Sequence, residues 1–429
     1  MLFEKIGIFD PVYGYIREGY VAVAGEKIAY VGTEKPQQDY GRVYDGRGKV
    51  ILPALVNAHS HTAMTLMRGY GENMVLDDWL NKRIFPFEDH LNAERVYSGS
   101  LLAFAEMIRF GSVSVNDMYF FADATARAVE ESGVKCNMSI GVTDFQGRGF
   151  YEIPAYDKTM ALVHDYHNAF GGRFQVDFCV HGEYTSNEKL VTQVAECAKK
   201  EGLGIHIHLS ETKKEHEECK QRHHGETPTQ YFERTGILDS RVTAAHCTWA
   251  EERDIDILKA HRATAVCCPV SNIKLAGGFT NVPYMLKTGL NIALGTDSTA
   301  SNNNLNLFEE VKLYATLYKA SSGDPTVVTP AQALTAATIG GALSQGRTDC
   351  GRIAEGYRAD ITVLNVDVPH MYPVHDMVNN LVYSAQGSDV VLTMSDGKIL
   401  YENGEYKTID IERAKFEVQR STEAILSEL

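Results

Sequence analysis

The sequence lacks the features that mark membrane-spanning, secreted or nucleic-acid-binding proteins. Its 429 residues contain 41 Lys and Arg against 56 Asp and Glu, and no basic run interrupts this acidic balance. Without a basic patch a protein cannot neutralise a phosphate backbone, which disfavours nucleic acid as a partner. No apolar run reaches the roughly 18 residues of a membrane helix, and Met1–Gly19 lacks a secretion signal pattern. We therefore expect a cytoplasmic protein with no membrane partner.

The cysteines exclude two further classes. There are eight, including the adjacent pair Cys267 and Cys268, and none forms a C-x₂-C pair. Small secreted domains need a denser cysteine framework, and Cys₄ zinc sites need C-x₂-C pairs. We therefore expect reduced thiols, some of them in apolar runs such as Phe178-Cys179-Val180.

Short apolar runs recur through the middle of the chain, and amphipathic stretches long enough for helices separate them. Parallel strands need such helical crossovers, and eight units of this kind predict a closed (β/α)₈ TIM barrel of the α/β class. An open doubly wound sheet is the alternative, although no G-x-G-x-x-G follows the first strand. The predicted strands are 51–58, 112–116, 136–143, 175–180, 204–209, 242–246, 264–269 and 291–295.

The two ends of the chain resemble each other and differ from the middle. Tyr20–Val31 alternates around Gly25-Glu26, and Val390–Tyr401 alternates around Asp396-Gly397. Each pattern predicts a hairpin, and isolated hairpins are only marginally stable. We therefore expect residues 1–54 and 355–429 to form one small β-sandwich domain beside a barrel of residues 55–354.

Most histidines and aspartates of chemical interest fall where a predicted barrel strand ends, which is the active face of such a barrel. His59 and His61 close the first strand two positions apart, so strand alternation points both rings into the barrel mouth. His208, His246 and Asp297 end the fifth, sixth and eighth strands. A lone histidine is more often structural, but five such residues at four strand ends indicate a metal site. The predicted ligands are His59, His61, His208 and Asp297.

The segment after the fifth strand adds an acid three residues past a predicted ligand. Glu211 is placed to sit beside a metal-bound water, and we interpret it as a proton shuttle between that water and the substrate. His206 lies on the same strand face as His208 and is the second choice as a ligand. Glu215 and His216, further along a charged stretch, are interpreted as solvated.

Together these motifs resemble the amidohydrolase superfamily, and the resemblance extends over nearly the whole chain. Many members carry a bridging lysine after the fourth strand for a second metal, whereas here that strand leads into His181-Gly182-Glu183-Tyr184. The resemblance therefore implies the mononuclear, deaminase-type branch. The matching segments are Pro53–His61, His208–Thr212, Ala245–Cys247, Leu294–Asp297 and Cys350–Asp360.

Within that branch the sequence is most similar to the S-adenosylhomocysteine/methylthioadenosine deaminases, including the 5′-deoxyadenosine type. This similarity implies that Trp79 lines a nucleoside pocket, Glu88 holds ribose hydroxyls and His181 contacts the substrate. Arg148 is the candidate to clamp a homocysteine carboxylate; without that contact, smaller 5′-modified adenosines are the expected substrates. The matching segments are Trp79-Leu80, Phe85–Asp89, His181 and Gly295–Asn303.

The predicted reaction is hydrolytic deamination of a purine nucleoside to an inosine-type product and ammonia. One metal would make a water molecule acidic enough to attack the amine-bearing carbon, with Asp297 and His246 orienting that water. Glu211 would protonate the ring nitrogen and then pass a proton to the departing ammonia. Zinc is the expected metal and Fe²⁺ also suits these ligands. The small nucleoside is the expected partner, and the oligomeric state, including a homo-oligomer, stays open.

Two other functions stay open. An s-triazine deaminase or chlorohydrolase of the same superfamily would use identical metal ligands and differ only in the pocket residues. A non-catalytic binding protein on a barrel scaffold would lack a ligand or the acid/base residue, and all of these are present in the sequence.

Overall fold

A computed structural model describes the backbone of residues 1–429 and every side chain except those of Leu76 and Asp77. The strands, in chain order, are β1 (Leu2–Asp10), β2 (Gly14–Ala24), β3 (Lys27–Gly32), β4 (Val43–Asp45), β5 (Lys49–Pro53), β6 (Leu55–Ser60), β7 (Ser112–Tyr119), β8 (Lys135–Ile140), β9 (Phe174–Val176), β10 (Phe178–Val180), β11 (Ile205–Leu209), β12 (Val242–His246), β13 (Thr264–Cys267), β14 (Asn291–Leu294), β15 (Ile361–Asn365), β16 (Val390–Ser395), β17 (Lys398–Glu402) and β18 (Glu405–Tyr406).

The helices are α1 (Leu76–Trp79), α2 (Phe85–Glu88), α3 (Ala93–Arg109), α4 (Ala122–Ser132), α5 (Pro154–Tyr166), α6 (Ala169–Gly172), α7 (Glu188–Glu201), α8 (Lys213–Arg222), α9 (Pro228–Arg234), α10 (Glu252–Ala260), α11 (Pro269–Lys274), α12 (Val282–Thr288), α13 (Leu307–Ser322), α14 (Pro330–Thr335), α15 (Gly341–Ser344), α16 (Met377–Tyr383) and α17 (Ile411–Glu428).

The central strands form a parallel barrel, which confirms the predicted fold class. β6 to β9 pair in sequence order, and β10 to β14 do the same. The backbone N–H of Asp297 donates to the carbonyl of His59 at 3.0 Å and closes the ring between β14 and β6. Gly295 allows this approach, because a Cβ there would lie 2.8 Å from the Cβ of His59. The barrel has eight strands when β9 and β10 are counted as one interrupted strand.

Strand alternation separates the core from the site. Along β11, Ile205, Ile207 and Leu209 are buried in the apolar layer between the barrel and its surrounding helices. His206 and His208 alternate with them and therefore face into the barrel. The same period that builds the hydrophobic layer thus delivers imidazoles to the barrel axis.

Two predicted barrel strands are each divided into two strands in the structure. The run 51–58 is not one strand, because residues up to Pro53 pair in the terminal sheet and the barrel strand starts at Leu55. The run 175–180 is interrupted at Asp177, whose buried carboxylate accepts hydrogen bonds from Asn137 at 2.9 Å and Arg241 at 2.5 Å. Both runs look continuous in sequence because the hydrophobicity does not change where the pairing changes.

Strands from both chain ends form one curled sheet in the order β18-β17-β16-β15-β5-β1-β2-β3, with β4 on β1. Both predicted hairpins are confirmed, β2 with β3 and β16 with β17. The sheet curls until its two turns meet: Ala359 N–H donates to Glu26 at 2.8 Å, and Gly397 N–H donates to Ala359 at 3.0 Å. Apolar residues from both halves share one core, as in a sandwich.

The last helix leaves this β domain. α17 returns to the barrel, where Val418 and Ile425 are buried in the core that contains α3. Thr422 also donates from its hydroxyl to the carbonyl of Leu66 at 3.1 Å. We therefore propose residues 1–54 with 355–410 as the β domain and assign the final helix, which the sequence pattern grouped with that domain, to the barrel.

All eight cysteines are free and buried. Within the part of the chain that the structure describes, none of the helices is both long enough and apolar enough to cross a bilayer.

Candidate active site

A cavity of about 630 Å³ opens at the end of the barrel where the parallel strands finish. His61, His208, His246 and Asp297 lie in its wall, together with Glu211. These residues come from four separate strand ends, so only barrel closure brings them together. The cavity is large enough for a ligand of nucleoside size.

Two histidines at the floor of this cavity face each other through unprotonated nitrogens. His61 Nδ1 lies 2.6 Å from the carbonyl oxygen of Met118, and His208 Nδ1 lies 2.7 Å from that of His181. Because a carbonyl can only accept, each Nδ1 must carry the proton, and each Nε2 presents a lone pair. These two Nε2 atoms are 3.4 Å apart. Two lone pairs at this distance repel unless a cation lies between them.

His59 has the same character and is completely buried. Its Nδ1 lies 2.9 Å from His206 Nε2, whereas its own Nε2 has no hydrogen-bond partner among the described residues. Burial lowers the pKa of His59 to about 3, so the ring is neutral. An orphaned imidazole nitrogen in a buried site fits a metal ligand. His206, the second choice as a ligand, instead orients the ring of His59, as partners of metal-binding histidines do.

Asp297 completes the donor set. Its Oδ1 lies 3.4 Å from His61 Nε2 and 3.6 Å from His59 Nε2. Its Oδ2 accepts hydrogen bonds from the hydroxyls of Ser271 at 2.6 Å and Ser301 at 2.9 Å. One carboxylate oxygen is thus held by serines while the other faces the imidazoles. Three imidazoles and one carboxylate fit a divalent metal ion.

Glu211 and His246 face each other beside these donors, with Glu211 Oε1 3.8 Å from His246 Nε2. Burial raises the pKa of Glu211 above its usual value, which suits a group that both takes and gives a proton. Burial alone would lower the pKa of His246, but the carboxylates of Glu211 and Asp297 outweigh it and raise that pKa. Asn272 Oδ1 lies 2.9 Å from His246 Nδ1 and fixes the ring orientation.

Glu215 and His216 are buried, so their interpretation as solvated residues is wrong. Both carboxylate oxygens of Glu215 accept backbone hydrogen bonds, from Ser210 at 2.9 Å and Glu211 at 2.7 Å. His216 Nδ1 lies 3.1 Å from the hydroxyl oxygen of Ser210. The charged sequence around them gave no sign of burial, because α8 turns only this side toward the barrel.

The residues assigned to substrate binding line the side of the cavity. Trp79 is buried and lines the cavity, and His181 lies next to His208 with a ring-centroid distance of 4.7 Å. Glu88 accepts a hydrogen bond from Tyr119 at 2.8 Å. Burial raises the pKa of Glu88 to about 7, and the Tyr119 hydrogen bond limits that rise.

Arg148 is placed differently from the other assigned residues. Its Nε donates to Asp144 at 2.8 Å, and it does not belong to the described lining of the cavity. Lys158 does line the cavity and has no carboxylate partner among the described side chains. Sequence reasoning missed Lys158 because it lies in the middle of α5, away from any strand end.

Four phenylalanines at the cavity mouth were also missed. Their side chains are between 42% and 78% exposed although they are large and apolar, which is unusual unless a ligand covers them. No periodic pattern separates them from core phenylalanines in the sequence. They are Phe85, Phe120, Phe121 and Phe145.

Comparison with known proteins places the chain in a family. The sequence pattern of the Amidohydrolase family matches residues 50–400. The chain belongs to the amidohydrolase family.

Two relatives match almost end to end. The 5-methylthioadenosine/S-adenosylhomocysteine deaminase of Thermoanaerobacter pseudethanolicus is 41% identical over 95% of this chain and 94% of its own length. The 5′-deoxyadenosine deaminase of Methanosarcina acetivorans is 40% identical over 97% of this chain and 96% of its own. Among solved structures, an adenosine deaminase from Xanthomonas campestris with bound zinc superposes with a TM-score of 0.93. It is 29% identical and covers 99% of this chain and 98% of that chain.

Replacing His208 with alanine should remove the bound metal. The substitution takes away one of the two facing lone pairs, so metal bound to the purified protein should fall at least about tenfold from roughly one ion per chain. Elemental analysis after dialysis measures this. His164→Ala is the matched control, because His164 is exposed and paired only with its neighbour Asp165. Unchanged metal content in His208→Ala would contradict the assigned ligand set.

Proposed function

We propose that this amidohydrolase removes the amino group of a purine nucleoside by hydrolysis, with 5′-modified adenosines as substrates and zinc as its metal. The main support is one cavity that combines a cluster of imidazole nitrogens with an acid outside the donor set, Glu211. Relatives named for deamination of methylthioadenosine, S-adenosylhomocysteine and 5′-deoxyadenosine, at 40–41% identity, support the substrate class.

The donor set defines where the metal would sit. When bound, a divalent ion supplies the positive charge that makes a water molecule acidic enough to attack near neutral pH. The hydroxyls of Ser271 and Ser301 hold the carboxylate of Asp297, so it keeps one oxygen toward the imidazoles. The four residues assigned to hold the ion are His59, His61, His208 and Asp297.

Glu211 performs the proton transfers in this proposal. It takes a proton from the attacking water and delivers it to the ring nitrogen next to the amine-bearing carbon. As the tetrahedral carbon collapses, its new hydroxyl gives a second proton to the amine through Glu211, the C–N bond breaks, and ammonia leaves as the carbonyl forms. His246, fixed by Asn272 and facing Glu211, hydrogen-bonds the attacking oxygen and keeps it in line with the ring. Water and adenosine nucleoside thus yield inosine nucleoside and ammonia.

The side wall suits the sugar and base. Glu88 can accept two vicinal ribose hydroxyls, and its contact with Tyr119 fixes its orientation. Trp79 offers a flat apolar surface to the nucleoside. His181, neutral because burial lowers its pKa to about 4, can donate or accept a hydrogen bond at the base.

The cavity mouth suits an apolar 5′ substituent. The exposed rings of Phe120, Phe121 and Phe145 would be covered by a methylthio or similar group, which removes apolar surface from water. Arg148 is paired with Asp144, so the clamp for a substrate carboxylate falls instead to Lys158. We therefore propose that small apolar 5′ substituents are preferred and that a terminal carboxylate adds little.

An assay of ammonia release, with the absorbance change from adenine to hypoxanthine, tests the reaction. Methylthioadenosine, 5′-deoxyadenosine, adenosine and S-adenosylhomocysteine should be turned over, and an s-triazine and guanine should not. Glu211→Gln should lower kcat by about 10²- to 10⁴-fold with its bound metal retained, because the proton shuttle is lost. Activity on the triazine alone would overturn the substrate class, and a fully active Glu211→Gln would overturn the mechanism.

Nucleoside binding should depend on pH through Glu88. Since the pKa of Glu88 is raised to about 7, its carboxyl is mostly protonated below that pH and ionised above it. The ionised form accepts two hydroxyl donors, so KM should fall as pH rises through neutrality, and Glu88→Gln should show a flat, weaker profile. Tyr119→Phe removes the bond that limits the rise in pKa, so its midpoint should move to higher pH. A wild-type KM that is constant over this range would contradict the role of Glu88.

Substitution of Lys158 and of Arg148 should have different effects on the turnover of a carboxylate-bearing substrate. Lys158→Ala should lower kcat/KM for S-adenosylhomocysteine about two- to fivefold, the range of an exposed ion pair, and leave methylthioadenosine unaffected. Arg148→Ala should change neither, since its Nε is paired with Asp144 and it lies outside the described cavity lining. The reverse pattern, loss only in Arg148→Ala, would restore Arg148 as the carboxylate clamp.

A further inference from the structure

Ser210, between the fifth barrel strand and Glu211, has an unfavourable backbone conformation. Its φ is +49°, in the left-handed region that residues with a Cβ rarely adopt. The residue is fully buried and lies two positions after the ligand His208. This turn redirects the chain so that Glu211 points back over the cavity. Such a conformation persists only where surrounding contacts hold it.

The holding contacts come from the first turn of α8. Glu215 is the third residue of that helix, and its two carboxylate oxygens accept the backbone N–H groups of Ser210 and Glu211 at 2.9 and 2.7 Å. Its own N–H donates to the hydroxyl of Thr212, the N-cap of the helix, at 3.1 Å. A carboxylate in the first helical turn is stabilised by the helix dipole. Glu215 therefore clasps two consecutive peptide units on either side of the bend.

The other polar groups of Ser210 are also fixed. Its hydroxyl oxygen lies 3.1 Å from His216 Nδ1, and its carbonyl accepts the backbone N–H of Trp249 at 2.9 Å. His216 in turn lies 3.3 Å from Glu251. The Trp249 contact links this turn to the segment after β12, where His246 also has a positive φ of 71°. The turns that present Glu211 and His246 are thus built as one unit.

The carboxylate of Glu211 has no comparable support of its own. It faces His246 across 3.8 Å and accepts no hydrogen bond from the described side chains. Its position over the cavity therefore depends on the backbone of residues 210 and 211. A small rotation of those peptide units would move the carboxylate away from the reacting atoms, and errors of about 1 Å are costly for proton transfer.

We propose that Glu215 is a positioning residue that holds Glu211 in place for proton transfer by clasping the N–H groups of Ser210 and Glu211. This inference rests on the proposed role of Glu211 as proton shuttle. Glu215 is not itself part of the described cavity lining, and its carboxylate accepts hydrogen bonds from Ser210 and Glu211 rather than from a metal donor, so it acts through Glu211.

Kinetics of the metal-loaded enzyme with methylthioadenosine test the proposal. Glu215→Ala should lower kcat by about 10- to 100-fold, the usual effect of losing such a supporting contact, with KM and metal content changed less than about threefold. Glu215→Gln should recover part of this loss, because its amide oxygen still accepts one N–H. Glu217→Gln is the matched control on the exposed side of the same helix and should behave as wild type. An unchanged kcat in Glu215→Ala, or a loss explained by missing metal, would overturn the proposal.

A double-mutant cycle separates action through Glu211 from a general structural role. If Glu215 works through Glu211, adding Glu215→Ala to Glu211→Gln should cost no further activity, so the two losses are not additive. Additive losses would overturn the proposal.

Hydrogen exchange gives a readout that does not need the reaction. The amides of Ser210 and Glu211 should exchange slowly in wild type and faster in Glu215→Ala, with the remaining barrel unchanged. Faster exchange in a protein that turns over no nucleoside would leave the clasp standing and refute the proposed function. Unchanged exchange would refute the clasp itself.

Discussion

The site depends on two imidazole lone pairs that face each other in a buried place. The Nδ1–H groups of His61 and His208 donate hydrogen bonds to the carbonyl oxygens of Met118 and His181. Both lone pairs are therefore on the Nε2 atoms, which lie 3.4 Å apart. Without a cation this arrangement is repulsive, and with one it is a ligand pair. Metal binding would therefore couple the stability of the strand ends to occupation of the site.

Around this pair, the residues that orient the metal donors differ from the residue that transfers protons. Each donor has a second contact that fixes its orientation: His206 for His59, serine hydroxyls for Asp297 and main-chain carbonyls for the other two rings. The Glu211 carboxylate accepts no hydrogen bond from the described side chains, and its backbone is held by Glu215. Fixed donors beside an acid that is not one of them fit a reaction in which the metal stays in place and only protons travel.

The parts predicted correctly from sequence are those governed by local rules. Period-2 alternation placed His206 and His208 inside the barrel, and glycine-containing turns placed both hairpins. The wrong predictions concern features that are decided by contacts between residues far apart in sequence. The run 51–58 passes from the terminal sheet to the barrel at Ala54 without any change in hydrophobicity. Glu215 and His216 are buried although the sequence around them is charged. The role of Arg148 stays a prediction; its Nε donates to Asp144, and it lies outside the described cavity lining.

The sequence by itself determined the barrel class, the residue types of the donor set and the strand ends on which they lie, because strand alternation and the C-terminal active face are properties of local chain geometry. Only the tertiary structure decided which nitrogen of each histidine is free, which cation reaches the cavity and which carboxylate supports Glu211. Those properties depend on hydrogen bonds between segments tens or hundreds of residues apart, such as His59 with His206, and no local pattern encodes them.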